Sequence, residues 1–259
     1  MTFTNKENTQ PKKAAKTKID RRKHYIMMLD VETAGGLDQK LVYDFGFAIA
    51  DKQGNIYEER SFVIEEIFSQ TDLMNSAYYS EKLPLYHEGL ETGKFEMKSF
   101  FEAREIFLAL MNKYNVKTIS AYNLNFDMSA LSNTFNYLLT GSTNKKYYFL
   151  TRDQKEVKLL CTWSLACETI FQQKTFKKMA LEHGQVTPAG NYKTSAEVAY
   201  RYIKNNWTFV EEHTGLADVR IEVKIMAKCF RQKKKTLSGI LSHPWRLVVN
   251  HHGKVKDLI

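Results

Sequence analysis

The run Tyr25-Ile26-Met27-Met28-Leu29, followed at once by Asp30-Val31-Glu32, constrains this chain more than any other stretch. Five successive apolar residues leave no polar side, which is the pattern of a strand buried on both faces. The spacing predicts that strand over His24–Val31, ending in acidic residues. Leu41–Ala50 and Ile56–Ile64 are two more strand-like runs, and Asp51-Lys52-Gln53-Gly54-Asn55 between them has turn chemistry, so an antiparallel hairpin is expected. Residues 65–98 read as a loop with short helical pieces. Ser99 then caps a helix carrying Phe100, Phe101, Ala103, Ile106, Phe107, Leu110 and Met111 at helical spacing, which Asn112–Asn115 end. Val116–Tyr122 is a short strand and Asp127–Leu139 a helix. Tyr147–Thr151 and Val157–Cys161 read as strands around a polar Arg152–Glu156 turn. Helices are expected over Trp163–Gln172, Phe176–Glu182, Ser195–Lys204 and Leu216–Phe230. Strands first, with helices around them, make one α/β domain over residues 24–230.

That domain is flanked by two basic segments. Residues 1–23 hold eight Lys and Arg against Glu7 and Asp20, out of a net charge of +9 for the whole chain, and they lack the apolar groups that offset ordering entropy. A disordered arm is expected there, either attracted to phosphates or simply solubilising. Residues 231–259 open with Arg231-Gln232-Lys233-Lys234-Lys235 and read as a basic tail. The three cysteines, Cys161, Cys167 and Cys229, include no Cys-x-x-Cys pair, which argues against a disulfide framework and a cysteine-built zinc site. No apolar run approaches the ~20 residues a membrane span needs. A cytoplasmic protein with no membrane partner is expected.

Asp30 and Glu32, at i and i+2 of a strand, project to one face. Two like charges held that close call for something positive between them, and Mg²⁺ or Mn²⁺ suits oxygen ligands. Taken alone, the pair also fits two solvated charges at a strand end. Asp127, just past a strand and at the start of a helix, fits an N-cap or a residue delivered to a sheet's active edge. His213, five positions before Asp218, reads as a general base once the upstream carboxylates are counted. His87, His183, His243, His251 and His252 have no carboxylate at useful spacing and read as surface groups.

Asp30/Glu32, Asn123…Asp127 and His213…Asp218 together resemble the three motifs of the DEDDh, or DnaQ-like, 3′→5′ exonucleases, over roughly residues 24–230. Asp30-Val31-Glu32-Thr33-Ala34-Gly35 is similar to the opening motif of ribonuclease T within that family. Leu160-Cys161-Thr162-Trp163-Ser164-Leu165-Ala166 resembles the segment after the second motif, with Cys161 where an Asp is common. The resemblance implies an RNase H-like mixed sheet, with three antiparallel strands and then parallel ones, flanked by helices. It implies two Mg²⁺ or Mn²⁺ ions on Asp30, Glu32, Asp127 and Asp218, with His213 activating water. Thr33, Ala34, Gly35 and Leu37 would meet the terminal nucleotide, while Asn123 and Phe126 would line the groove. The substrate implied is a nucleic acid with a 3′ end, in a bacterium or phage. The expected reaction releases nucleoside 5′-monophosphates from single-stranded DNA, with RNA 3′ ends as the alternative and a non-catalytic nucleic-acid-binding module as the second. Recruitment by a polymerase or single-strand-binding protein stays open.

If the arm touches phosphates, deleting residues 1–23 flattens the salt dependence of oligonucleotide binding, since each phosphate contact adds about 0.7–0.9 to the slope of log K against log salt. An unchanged slope returns the arm to a solubilising role.

Overall fold

The computed structural model describes residues 19–36, 39–141, 149–150, 157–232 and 240–248. Residues 1–18 of the arm, Leu37, most of the Tyr147–Thr151 segment, the Arg152–Glu156 turn, Lys233–Lys235 and the end of the tail lie outside the described residues. Among the described residues a six-stranded sheet has the order β4-β3-β2-β1-β5-β6. β1 (Ile26–Ala34), β2 (Leu41–Ala50) and β3 (Ile56–Ile64) form an antiparallel meander. β5 (Thr118–Ala121) adds to β1 in parallel and β6 (Lys158–Cys161) to β5, while β4 (Met97–Lys98) is a two-residue parallel edge on β3. The helices are α1 (Glu65–Phe68), α2 (Thr71–Met74), α3 (Leu83–Glu91), α4 (Phe100–Lys113), α5 (Leu124–Thr140), α6 (Thr162–Glu168), α7 (Lys174–Glu182), α8 (Ala196–Lys204) and α9 (Gly215–Phe230). Three antiparallel strands followed by parallel ones, flanked by helices, is the RNase H-like layout.

β1 shows why its sequence has no polar side. Met27, Leu29 and Val31 enter a core shared with Phe100, Phe107 and Leu131 of α4 and α5, while Ile26 and Met28 enter a second core shared with α6, α7, α8 and α9. The alternation of a strand therefore serves two apolar layers. Phe45, Phe47, Phe107 and Phe149 meet edge-on or tilted with centroids 4.8–5.8 Å apart, adding directional packing to burial. The hairpin closes as expected, with Asp51 N–H to the Asn55 carbonyl at 3.1 Å and Gly54 N–H to the Asp51 carbonyl at 3.0 Å. α4 opens on a capping box in which the Ser99 hydroxyl accepts from Glu102 N–H and the Glu102 carboxylate accepts from Ser99 N–H.

Several boundaries differ from the sequence reading, each for a tertiary reason. β1 does not end at Val31 but pairs with β2 as far as Ala34↔Leu41, across an irregularity between Glu32 and Thr33. Asp30 and Glu32 are thus inside the strand. α5 starts at Leu124, so Asp127 sits within its first turn and is not its cap. The stretch read as one helix over Trp163–Gln172 breaks at Thr169 (φ −120°, ψ −84°) into α6 and a 3₁₀ turn. Phe149 and Leu150 form a bend, with Phe149 fully buried. Residues 19–23, counted with the arm in the sequence, form a turn in which the Asp20 carboxylate binds Arg22 and Asp20 N–H donates to the Tyr25 hydroxyl.

α9 crosses β2 at Gly46 and Gly215, where the two backbones meet directly. A Cβ on Gly46 would stand 2.2 Å from the Gly215 carbonyl carbon, and neither backbone can yield cheaply. Gly46→Ala is expected to destabilise the protein by about 3 kcal/mol or more in urea denaturation. Gly36→Ala, where nothing lies within 4 Å, serves as the control and should stay within about 0.5 kcal/mol. Similar midpoints for both variants would contradict the close crossing.

Candidate active site

Asp30 and Glu32 continue the alternate positions of Ile26 and Met28, so the strand delivers both carboxylates to the face that α9 covers. Glu32 is buried and Asp30 half-buried. The first turns of α9 bring Asp218 to the same place, and Glu222, one turn further, lies on the same helical face. Both are buried. Asp44 of β2, directly opposite Glu32, seats this helix. Its carboxylate accepts from Gly215 N–H at 2.9 Å, the Tyr86 hydroxyl at 2.6 Å and the Ser61 hydroxyl at 2.9 Å. A free N–H at a helix start is a ready partner for an anion.

Asp127 arrives from α5. β5 pairs with β1 only as far as Met28↔Ser120, and beyond that point Val31 N–H donates to Asp127 Oδ1 at 3.3 Å. This bond replaces the capping role allowed by the sequence. Asn123 occupies the N-cap position, exposed and without a side-chain capping bond. Phe126 is half-buried with the Lys40 ammonium 4.6 Å above its ring. Tyr122 N–H, at the end of β5, donates to Glu222 Oε2 at 3.0 Å and so ties that strand to α9.

His213 lies on the connection between α8 and α9 in the left-handed region (φ 55°), unusual for a residue with a Cβ. Its Nδ1 is 3.9 Å from Asp218 Oδ2 and 4.0 Å from Glu211 Oε2. Tyr79 stacks on the imidazole at 4.2 Å and 15°. One ligand atom each from Glu32, His213 and Asp218 lies within 4.8 Å of the others. The structure thus brings together Asp30, Glu32, Asp127, Asp218 and His213 at one edge. Thr33 is half-buried on β1, and Ala34 is fully buried, so the structure does not place Ala34 where a ligand could touch it. Gly35 (φ 86°) donates its N–H to the Ser76 hydroxyl.

The electrostatics follow from crowding. Burial and then Glu222, Asp127, Glu32 and Asp218 hold the Asp30 carboxyl far above the usual carboxylate range. Burial, then Asp218, does the same to Glu32. Asp127 is raised to about 7, mainly by burial against the opposing pull of two backbone N–H groups. Asp218 is raised to about 8 by burial and then by Glu211. Burial and then Lys82 lower His213 below its ordinary value, which favours the neutral imidazole. Asp218 Oδ1 is buried and has no hydrogen-bond partner among the described residues. An orphaned carboxylate oxygen beside converging carboxylates fits hard divalent cations, which take oxygen ligands and remove this repulsion.

Sequence reasoning missed four contributors. Asp44 was legible as a lone acid inside an otherwise apolar strand, and Glu222 as a second acid one turn after Asp218. Glu211 carried the weaker signal of an acid two residues before the histidine. Tyr79 had none, because only the tertiary fold brings it to His213.

No family model matches the sequence, and no curated protein matches it. Among solved structures, the chain is similar to the zinc ion bound form of an E. coli exonuclease I–single-stranded DNA complex, at 13% identity and TM-score 0.44, covering 78% of this chain and 39% of that one. It is similar also to a moderately thermophilic exonuclease I from Methylocaldum szegediense, at 13% identity and TM-score 0.44, covering 82% and 41%. S. pombe Pop2p, in an Mg²⁺ and Mn²⁺ bound form, aligns at 12% identity and TM-score 0.45, covering 80% and 83%. The chain spans about two-fifths of the exonuclease I chains. Among the described residues no helix is long and apolar enough to cross a membrane.

The raised carboxylates fix the sign of a pH dependence. Each binds its proton more tightly folded than unfolded, so its contribution is fully present below the unfolded value near 4 and is lost as pH rises through the folded value. With Asp127 near 7 and Asp218 near 8, thermal stability in EDTA should fall steadily between about pH 4 and 8. Mg²⁺ or Mn²⁺ should restore it at pH 8, and Asp30→Asn should melt higher than the unsubstituted protein in EDTA at that pH. Melting curves that are flat across this range, or unmoved by either cation, would contradict the crowding.

Proposed function

We propose that this chain is a DEDDh-type 3′→5′ exonuclease that releases nucleoside 5′-monophosphates from the 3′ end of DNA, single-stranded for preference. The convergence of Glu32, Asp218 and His213, with Asp30 crowded by the same carboxylates, carries this reading. Asp30, Glu32, Asp127 and Asp218 are the residues that would hold two Mg²⁺ or Mn²⁺ ions, which when bound supply charge neutralisation at the scissile phosphate and a more acidic water. His213 takes the proton of the attacking water, for which a base that is neutral at working pH is required. Asp127 belongs to the acidic set through α5, and its bond to Val31 N–H keeps it aligned with the strand that bears Asp30. Thr33, Gly35 and Leu37, around the buried Ala34, contact the terminal nucleotide. Asn123 and Phe126 line the groove that admits the strand. Residues 24–230 form the catalytic unit.

Digestion of matched DNA and RNA oligomers, single- and double-stranded, in Mg²⁺, Mn²⁺ and EDTA tests the proposal. The expected products are nucleoside 5′-monophosphates, formed from the 3′ end only with a divalent cation. Asp30→Ala and His213→Ala should each lower turnover by at least about 100-fold, the range that general-base catalysis supplies. Unchanged turnover in either variant would remove that residue from the site. Faster digestion of RNA would move the substrate to the other sugar, and oligomer binding with no cleavage would make the chain a binding module.

A further inference from the structure

The connection that carries His213 is fastened from behind by one ion pair. Arg201 and Glu197, a turn apart on α8, meet at 2.6 Å between Nη2 and Oε1. The pair then grips the backbone of the connection at two points. Arg201 Nε–H donates to the Phe209 carbonyl at 2.6 Å, and Glu211 N–H donates to Glu197 Oε2 at 3.1 Å. Both points fall within four residues of His213. Both side chains are mostly buried, at 16% and 22% exposure, so solvent screens the pair less than it would a surface bridge. From the far side, Lys82 Nζ donates to the Glu212 carbonyl at 2.9 Å and Tyr79 stacks on the imidazole.

We propose that Glu197 and Arg201 are positioning residues that hold the Phe209–Glu211 backbone so that His213 faces Glu32 and Asp218. The assignment rests on the exonuclease reading for the role of His213. Glu197, Glu211 and His213 also offer three ligand atoms within 4.8 Å of one another. Glu197 is already committed to Arg201 through one oxygen and to Glu211 N–H through the other, so the group reads as a clasp rather than a second metal site. The guanidinium suits the task because its planar fork reaches a carbonyl and a carboxylate at fixed angles, which a lysine ammonium does not reproduce. The left-handed backbone at His213 gives the clasp its purpose: a residue with a Cβ keeps that conformation only where its surroundings impose it.

A double-mutant cycle tests the clasp in the full chain with Mg²⁺. Arg201→Met should lower kcat on a single-stranded DNA oligomer by about 10- to 100-fold, the scale of a 1 Å misplacement, with KM within about twofold. In a His213→Ala background the same substitution should cost less than about twofold, because residues that act through one group are not additive. Glu197→Gln, which keeps an acceptor for Glu211 N–H, should show the same pattern with a smaller loss, and it carries the cycle if Arg201→Met does not fold. Independently of activity, the imidazole resonances of His213 in the metal-free protein should shift in Arg201→Met and Glu197→Gln, while those of His87, on α3, stay in place. Equal losses in both backgrounds, or an unmoved His213 spectrum, would overturn the clasp. Absence of digestion by the unsubstituted protein would instead sink the exonuclease reading, and the spectra would still decide the clasp.

Discussion

Asp30 stands among Glu222, Asp127, Glu32 and Asp218, and each of these carboxylates raises the cost of ionising it. Buried like charges oppose folding, so the chain must draw its stability from elsewhere. It does so from two apolar layers on either side of β1 and β2. Every residue of β2 is buried, and the aromatic cluster around Phe45, Phe47, Phe107 and Phe149 lies on the side away from Glu222. The acidic face and the dry face of one strand are therefore two consequences of the same alternation. Moving the pairing of β1 by one residue would send Asp30 and Glu32 into the Phe100–Phe107 core.

The position of α9 decides whether these groups meet. Its first residue has no side chain, which lets the helix rest on Gly46. Asp44 then accepts the Gly215 N–H, and Glu222 reaches across to Tyr122 N–H. Two carboxylates on different elements thus anchor the helix that presents a third, Asp218. Part of the acidity at this edge is architectural, with Asp44 satisfied by three donors while one Asp218 oxygen has no partner among the described residues.

The sequence disclosed what is local. The apolar run before Asp30, the Ser99–Glu102 capping box, the 51–55 turn and the helix after His213 all obey periodicities of two or 3.6 residues, and the structure has them. Boundaries set by distant partners were not disclosed. β1 extends past Val31 because β2 is there to pair with it, and Asp127 falls inside α5, where its carboxylate accepts the Val31 N–H. The candidate ligands were readable because their chemistry is conspicuous and their spacings are short. The groups that place them were not. Asp44 stands out as an acid in an apolar strand, but nothing local ties it to Gly215; Tyr79 meets His213 only in three dimensions, and the Arg201–Phe209 contact joins an unremarkable helix to an unremarkable loop.

The seating of α9 also bears on when the acidic edge comes into being. β1 supplies its carboxylates near the start of the chain, whereas Asp218 and Glu222 come from the last long helix, far along the sequence. Contacts of such wide separation close late, since loop entropy must be met before they are rewarded. While a ribosome is still extending the chain, the meander of β1, β2 and β3 can form with Asp30 and Glu32 open to water and little repelled. Only after α9 has been made and docked do the carboxylates become crowded and dry. The crowded edge therefore exists only once α9 has docked.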